Sequence, residues 1–242
     1  MTWIPDDVVI SWTAPDNGGS PITGYSVKIR QSDAMTYTVN TFCDMSTSTA
    51  TSCTVPVIAL KAAPFSLDWG TNVHATVRAI NIYGSSTQSA AGNGAIITTT
   101  PGSPTNLVEV EAQRTKSTLG LSWTEPVFIG GAAIVDYRVN IAEQGKSYTV
   151  AATGVTSTSY TVTGLTAGKT YAFKVEARNS YSYSASSSPI TLLCAFVPDS
   201  PTTITTANFN DKVSVTWNEP VTNGSPIIEY KIFIKQKDST FT

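Results

Sequence analysis

Charged side chains are scarce in this sequence: 13% of its 242 residues are Asp, Glu, Lys or Arg, about half the usual share. The 15 basic and 17 acidic residues give a net charge of -2. Proteins that bind nucleic acids or anionic membranes present a strong positive field to these negatively charged partners, and this composition does not supply one. We therefore expect no nucleic-acid partner and no membrane contact through this segment.

Long hydrophobic runs are also missing, although 41% hydrophobic residues are enough to build a core. No stretch approaches the roughly 20 apolar residues that a membrane-spanning helix needs. The residues that follow Met1 do not form the basic and then apolar pattern of a signal peptide. If the protein is secreted or tethered, its signal or anchor would lie outside this sequence.

Catalytic residue types are rare, since His74 is the single histidine. It lies between Val73 and Ala75 in an alternating apolar series, so we expect its side chain to point outward. No acidic residue lies beside it in sequence to orient the ring, so it does not predict a Ser or Cys nucleophile with its base. The sequence predicts no catalytic residue, and we expect a protein that is not an enzyme.

Metal and cofactor motifs are absent as well. One histidine and three scattered cysteines lack the paired spacing of a zinc site. The acidic clusters Asp6-Asp7 and Asp16-Asn17 lack the alternating carboxylates of a calcium loop and are typical of turns or solvated surface. No Gly-rich phosphate loop joins a strand to a helix. We expect no metal and no cofactor.

A repeated phrase is the strongest feature that the sequence does contain. A Trp, a Pro three residues later and a Tyr recur three times, with 13, 14 and 13 residues from Trp to Tyr. The copies are Trp12, Pro15 and Tyr25; Trp123, Pro126 and Tyr137; and Trp217, Pro220 and Tyr230. Apolar residues alternate around each phrase, as in Val8, Ile10 and Trp12, which indicates half-buried strands. Each Trp is expected to fill the space between two facing sheets.

A second alternating series follows Leu165 and Gly168: it comprises Tyr171, Phe173, Val175, Ala177 and Asn179. The first copy has the matching series Leu67, Gly70, Val73, Ala75, Val77, Ala79 and Asn81. Together with the Trp, Pro and Tyr spacing, these rows resemble fibronectin type III domains over essentially the whole chain. The resemblance implies tandem immunoglobulin-like β-sandwiches of an all-β class, with Tyr171 as the tyrosine corner. Val73 stands where that Tyr would be, so the corner hydrogen bond is expected to be absent from the first domain.

The phrase from Gly18 to Tyr25, Gly-Gly-Ser-Pro-Ile-Thr-Gly-Tyr, together with a Cys pair, also resembles repeats of large cell-surface proteins of protists, ciliates especially. Prolines mark two joins, at 98–104 and 196–201. We expect domains at 1–100, 101–198 and 199–242. The first would have a short or missing first strand, and the third, reaching only its third strand, would be incomplete. Paired prolines favour extended joins that limit the angles between neighbours.

Two cysteines, Cys43 and Cys53, fall in a stretch of the first domain that is longer than its counterpart in the second. We expect a disulfide between them, with two free thiols in a reducing compartment as the alternative. Cys194 is expected to be a buried free thiol, or else to pair outside this sequence. Asn223-Gly-Ser225 has the form of an N-glycosylation acceptor in an exposed loop, although Pro226 after it lowers occupancy.

These features favour a structural or adhesive repeat segment of a large extracellular or cell-surface protein. Because the chain stops in mid-sandwich, we also expect it to be a stretch of a filamentous assembly. Expected partners are proteins, either further copies of itself or other surface proteins, with glycans as a second class. Two other hypotheses stay open: a spacer or binding module of a secreted multidomain enzyme, and an intracellular cytoskeletal or ciliary scaffold.

Overall fold

The computed structural model describes residues 7–235, and most of its regular structure is β-strand. Contacts divide the chain into two compact units. The first comprises the residues up to Gly102 with Pro126–Val135 and Ala177–Ser184, and the second comprises Ser103–Glu125, Asp136–Glu176 and the residues from Ala185 onward. The predicted all-β class is confirmed.

From residue 7 onward, the described part of the first sandwich has seven strands and one α-helix. In chain order these are β1 (Asp7–Ser11), β2 (Gly24–Arg30), β3 (Tyr37–Thr38), β4 (Ser52–Pro56), α1 (Val57–Lys61), β5 (Asn72–Asn81), β6 (Gly84–Ser85) and β7 (Gly92–Ile96). A short 3-10 helix spans Thr41–Cys43. One sheet pairs β1 with β4, and the other has the order β3-β2-β5, with β6 and β7 both paired to β5.

Alternation along β2 explains how the first core forms. Tyr25, Val27 and Ile29 are each exposed by 2% or less, whereas the residues between them are half-buried. Antiparallel pairing places Tyr25 opposite Ala79 and Ile29 opposite Ala75 on β5. The period of two puts these side chains on one face, as the sequence predicts.

The second sandwich has seven strands and a short 3-10 helix at Glu111–Gln113. The strands are β8 (Thr105–Val110), β9 (Leu119–Thr124), β10 (Asp136–Glu143), β11 (Thr149–Val155), β12 (Ser159–Val162), β13 (Thr170–Arg178) and β14 (Ile190–Leu193). The sheets have the orders β12-β9-β8 and β11-β10-β13-β14. The buried residues of the second unit include Leu119, Leu121, Trp123, Tyr137, Val139, Val162, Tyr171, Phe173 and Val175.

Up to residue 235, where the description ends, the third repeat contributes one antiparallel pair, β15 (Thr202–Phe209) and β16 (Lys212–Asn218). The alternation of Tyr230, Ile232 and Ile234 predicts a third strand, but residues 227–234 form no strand. The corresponding strands β2 and β10 each lie in a sheet with β5 or β13, and the described part of the third repeat contains no counterpart of those partners. Without a partner, an extended segment has no ladder to join.

Two predictions about the first strands have different outcomes. The expectation of a short or missing first strand before Trp12 falls on residues 1–6, which lie outside the described residues. In the second sandwich the 22 residues from Pro101 to Trp123 leave room for a first strand near Leu107 to Ala112. It is β8, which ends at Val110 and gives way to the 3-10 helix.

Candidate functional site

The Trp and the Tyr of each repeated phrase are in ring contact in the structure. Ring centroids lie 5.2 Å apart for Trp12 and Tyr25 and 5.4 Å apart for Trp123 and Tyr137, both in edge-to-face geometry. Tyr25 and Tyr137 are buried, so these rings belong to the hydrophobic core and do not form a ligand-binding surface.

The third pair has the same spacing in a more open setting. The ring centroids of Trp217 and Tyr230 lie 5.2 Å apart with the planes tilted by 57°, and 40% of Tyr230 is exposed. These rings border an apolar cavity of about 580 Å³, lined also by Ile204, Val213 and Val215. The cavity occupies the position of the closed core in the first two repeats. It is therefore an uncovered core face and not a preformed small-molecule pocket.

Tyr171 forms the hydrogen bond of a tyrosine corner. Its hydroxyl oxygen accepts the backbone N–H of Thr166 at 3.1 Å, and the ring is 8% exposed. In the first sandwich Val73 occupies this place and is buried. The second sandwich therefore has a hydrogen bond between the turn at Thr166 and strand β13 that the first sandwich lacks.

Replacing Tyr171 by Phe should lower the free energy of unfolding of the second sandwich by about 1 kcal/mol, the net value of one hydrogen bond. Tyr160→Phe is the matched control, because the Tyr160 hydroxyl makes no hydrogen bond with the described residues. Chemical denaturation of both variants measures the difference. Equal stability of the two variants would show that the corner bond contributes nothing.

The structure joins Cys43 to Cys53 by a disulfide, with Cα atoms 5.3 Å apart. Cys43 ends the 3-10 helix, and Asn40 caps that helix by accepting the Phe42 N–H at 2.9 Å. The polar loop between the cysteines is also bound by the strands: Tyr25 N–H donates to Met45 O at 2.8 Å. The inserted segment is thus part of the first sandwich, fixed by backbone bonds as well as by the disulfide.

Cys194 is fully buried and has no disulfide partner among the described residues. Burial raises the pKa of its thiol, and the opposing effect of the Arg114 charge does not cancel this shift. A buried, protonated thiol is a poor nucleophile.

His74 is half-buried rather than fully exposed. In residues 7–235, no three His, Cys, Asp or Glu side chains form a group that could hold a metal ion.

An ion pair joins Arg138 on β10 to Glu176 on β13, and it is partly buried. Burial raises the pKa of Glu176, but hydrogen bonds from Arg138 and Asn140 outweigh it, so that the pKa is lowered overall. Ser186 also donates to this carboxylate, at 3.2 Å. The carboxylate is held ionised by neighbouring donors, which suits a structural cross-strand contact and not a general acid.

The extended segment after β7 is bonded to a loop within the first unit. Thr99 N–H donates to Gly130 O and Gly102 N–H donates to Phe128 O, both at 2.8 Å. The buried side chain of Asn179 adds two bonds, from Nδ2 to Thr99 O at 2.7 Å and to Ile129 O at 2.9 Å. This segment is therefore held in place by hydrogen bonds and is not a free linker.

An equivalent arrangement follows β14 within the second unit. Phe196 N–H donates to Asn223 O at 2.9 Å, and Asp199 N–H donates to Val221 O at 2.9 Å. Donors three residues apart again meet carbonyls two residues apart. The two connecting segments, 97–102 and 194–199, are called here the connector segments.

Asn223, the predicted glycosylation acceptor, is buried with 5% of the residue exposed, although Ser225 and Pro226 of the same loop are exposed. Its Nδ2 atom donates to Val197 O at 2.8 Å and to Asp199 Oδ1 at 2.9 Å. A glycan would have to be attached to that same nitrogen. We expect Asn223 to carry no glycan while the loop is folded, and intact mass before and after enzymatic removal of N-linked glycans checks this; a shift that maps to Asn223 would contradict it.

The paired sheets and the contacting Trp and Tyr rings define a tandem array of immunoglobulin-like β-sandwich modules. The chain belongs to the fibronectin type III family, since the model of the fibronectin type III domain matches residues 5–94 and 102–192. This confirms the predicted family and repeats. The resemblance to protist surface proteins stays an expectation.

Parts of this chain are similar to several known proteins. A Kelch domain-containing protein of Saccharolobus solfataricus is 42% identical over 83 residues, which cover 34% of this chain and 11% of that protein. A solved segment of titin covers 78% of this chain and 67% of its own length at 16% identity and a TM-score of 0.48. The FN1–FN3 domains of chicken CNTN1 cover 77% of this chain and 61% of their own length, at 16% identity and a TM-score of 0.40.

Modules of this family are generally not catalytic and commonly mediate protein contacts. No helix in the described part of the chain is long and apolar enough to cross a membrane.

Proposed function

We propose that this chain is a non-enzymatic structural segment of a larger extracellular or cell-surface protein, in which successive repeats form an extended array with protein partners. The observation that carries the proposal is the recurrence of one hydrogen-bonding pattern at both connector segments, at Thr99 and at Phe196. A flexible linker would leave these N–H groups to water. Bound connectors resist extension, which is what a load-bearing or spacing array requires.

The disulfide supports the extracellular part of the proposal. Structural disulfides persist in oxidising compartments and are rare where glutathione keeps thiols reduced. Cys43 and Cys53 bind the inserted segment of the first sandwich, whereas Cys194 is buried and unpaired among the described residues. This pattern favours the surface array over the intracellular scaffold.

The domains at 1–100, 101–198 and 199–242 remain part of the proposal. The apolar face of the third repeat, around Val213, Val215 and Trp217, supports a sandwich that further strands would close. Association into filaments is a further part, supported by low charge and by exposed apolar side chains such as Ile82 and Tyr83.

Electron microscopy of the native full-length protein tests the array. We expect elongated particles in which domains of about 100 residues repeat along an axis. Compact isolated particles without an axial repeat would overturn the proposal. A few repeats beside a catalytic signature in the full-length sequence would instead support the spacer of a secreted enzyme.

A further inference from the structure

One loop has two adjacent positive φ angles at equivalent positions in all three repeats. It lies six residues before each signature Tyr and contains two consecutive residues with positive φ. Their φ angles are +63° and +82° at Gly18 and Gly19, +69° and +83° at Gly130 and Gly131, and +51° and +96° at Asn223 and Gly224. Left-handed backbone at two adjacent positions favours Gly and Asn. We call this the double-turn loop.

In two repeats the double-turn loop is occupied. Gly131 packs so closely on Gly70 that a Cβ atom on it would meet the Gly70 nitrogen, and Gly224 meets the Gly168 nitrogen in the same way. Gly70 and Gly168 each donate their N–H to the start of a connector segment, at Ile97 O and Cys194 O, both at 2.8 Å. The occupant is thus a glycine turn together with the connector segment bonded to it.

In the first repeat the same loop is present without an occupant. Cβ atoms on Gly18 and Gly19 would have no described heavy atom within 4 Å, and both residues are exposed, whereas Gly130 is buried. The loop is already shaped by its own bonds, from Gly18 N–H to Asp16 Oδ1 at 2.8 Å and from Gly19 N–H to Asn17 Oδ1 at 2.9 Å. It therefore holds the docked conformation before docking.

The polar groups that the connector uses are likewise free on this loop. Gly18 O and Asp16 O correspond to Gly130 O and Phe128 O, and no hydrogen bond from the described residues reaches either of them. Asn81 corresponds to Asn179: its Nδ2 donates to Asn17 O at 3.3 Å, as Asn179 does to Ile129 O. The second bond of Asn179, to Thr99 O, has no counterpart at Asn81.

We propose that the Asp16–Ser20 loop is a docking site for a fibronectin type III repeat that precedes the first repeat in the same polypeptide. The occupant supplies a glycine turn against Gly19 and an extended connector. N–H groups of that connector, three residues apart, donate to Gly18 O and Asp16 O, and one of its carbonyls accepts from Asn81. The inference rests on the proposed array function.

Sequence order favours this source over a second copy of the chain. In both occupied cases the connector precedes its loop in sequence, by 31 residues from Thr99 to Gly130 and by 27 from Phe196 to Asn223. The glycine turns at Gly70 and Gly168 are already covered within their own units. A second copy would have to release one of them before it could dock.

A fused chain tests the proposal. Residues 102–211 are duplicated in front of residue 7, because Lys212 and Asp7 both lie five residues before a signature Trp. The readout is hydrogen exchange in a peptide spanning residues 16–20, compared between the fused and unmodified chains. We expect the backbone N–H groups of this peptide to exchange about tenfold more slowly in the fused chain. The reason is that docking adds the net free energy of about one typical hydrogen bond to the cost of opening the loop.

Two variants make the result specific. Gly19→Ala adds the Cβ that the occupied loops exclude, so it should abolish the slowing in the fused chain. Gly18→Asn is the matched control, since the third repeat has Asn223 there and docks; it should retain the slowing. Because each variant is also measured in the unmodified chain, local strain at positive φ cancels.

Equal exchange in the fused and unmodified chains would overturn the proposal. Slowing in the unmodified chain that increases with protein concentration would assign the loop to a second copy and would also overturn it. The proposed function fails differently: compact particles of the native protein would refute the array whatever the exchange result. An axial array with an unprotected loop would refute only the docking.

Discussion

Replacing Trp123 by Ala is expected to unfold the second sandwich while the first remains folded. Trp123 is 5% exposed and packs edge-to-face on Tyr137, which is 3% exposed. Truncating a large buried aromatic costs about 3 to 5 kcal/mol, against a total stability of about 5 to 15 kcal/mol for a domain. Thermal unfolding followed by calorimetry should show one transition lost or moved far down, with the other unchanged.

The matched control is Tyr148→Ala, which removes an aromatic ring from the same sandwich at a site that is 39% exposed. Tyr148 contacts Lys174, whose ammonium lies 4.5 Å from the ring centroid, so we expect a loss of at most about 1 kcal/mol. If Trp123→Ala removed both transitions together, the two sandwiches would share a core and the proposed boundary near residues 98–104 would be wrong.

The strands that surround the signature residues could be predicted because their determinants are local. Period-two alternation assigns Tyr25, Val27 and Ile29 to a core face, and the structure buries all three. The same rule did not give a strand at Tyr230, Ile232 and Ile234, although their pattern is equally regular. Alternation shows that a segment suits a strand, whereas the hydrogen bonds must come from a partner strand elsewhere in the chain.

Helix α1 was not predicted. It begins directly after Pro56 and buries Val57 and Leu60, two residues three positions apart. A five-residue helix is too short for periodicity to reveal and is stable only through such packing. The burial of Asn223 was missed for a related reason, because its partners, Val197 and Asp199, lie 24 or more residues away.

The double-turn loop was recognised in sequence only as a turn. Paired glycines at Gly18 and Gly19 indicate positive φ, but nothing in the residues 16–20 shows what the loop contacts. Comparison of the three copies in the structure supplies that information, because two of them are occupied and one is not. In a repeat protein, the occupied loop of one repeat shows which contacts the unoccupied loop of another repeat can make.

Removing the disulfide by changing Cys43 and Cys53 to Ala should lower the free energy of unfolding of the first sandwich by about 3 kcal/mol on the chain-entropy model. The cysteines are separated by 10 residues, so the bond closes a small loop of the unfolded chain. Both side chains are buried, and Ala introduces no polar group in their place. Chemical denaturation measures the loss, and the second sandwich should be unaffected.

Cys194→Ala is the matched control, since it removes a buried sulfur that forms no disulfide among the described residues. Its effect should fall on the second sandwich and should be the same with or without a reducing agent. Reducing agent should destabilise the first sandwich of the unmodified chain as the double variant does. Peptide mapping of the native protein under alkylating, non-reducing conditions gives the direct test. Recovery of Cys43 and Cys53 as free thiols would refute the bond in the cell and, because oxidising compartments preserve such bonds, would remove the main support for a surface location.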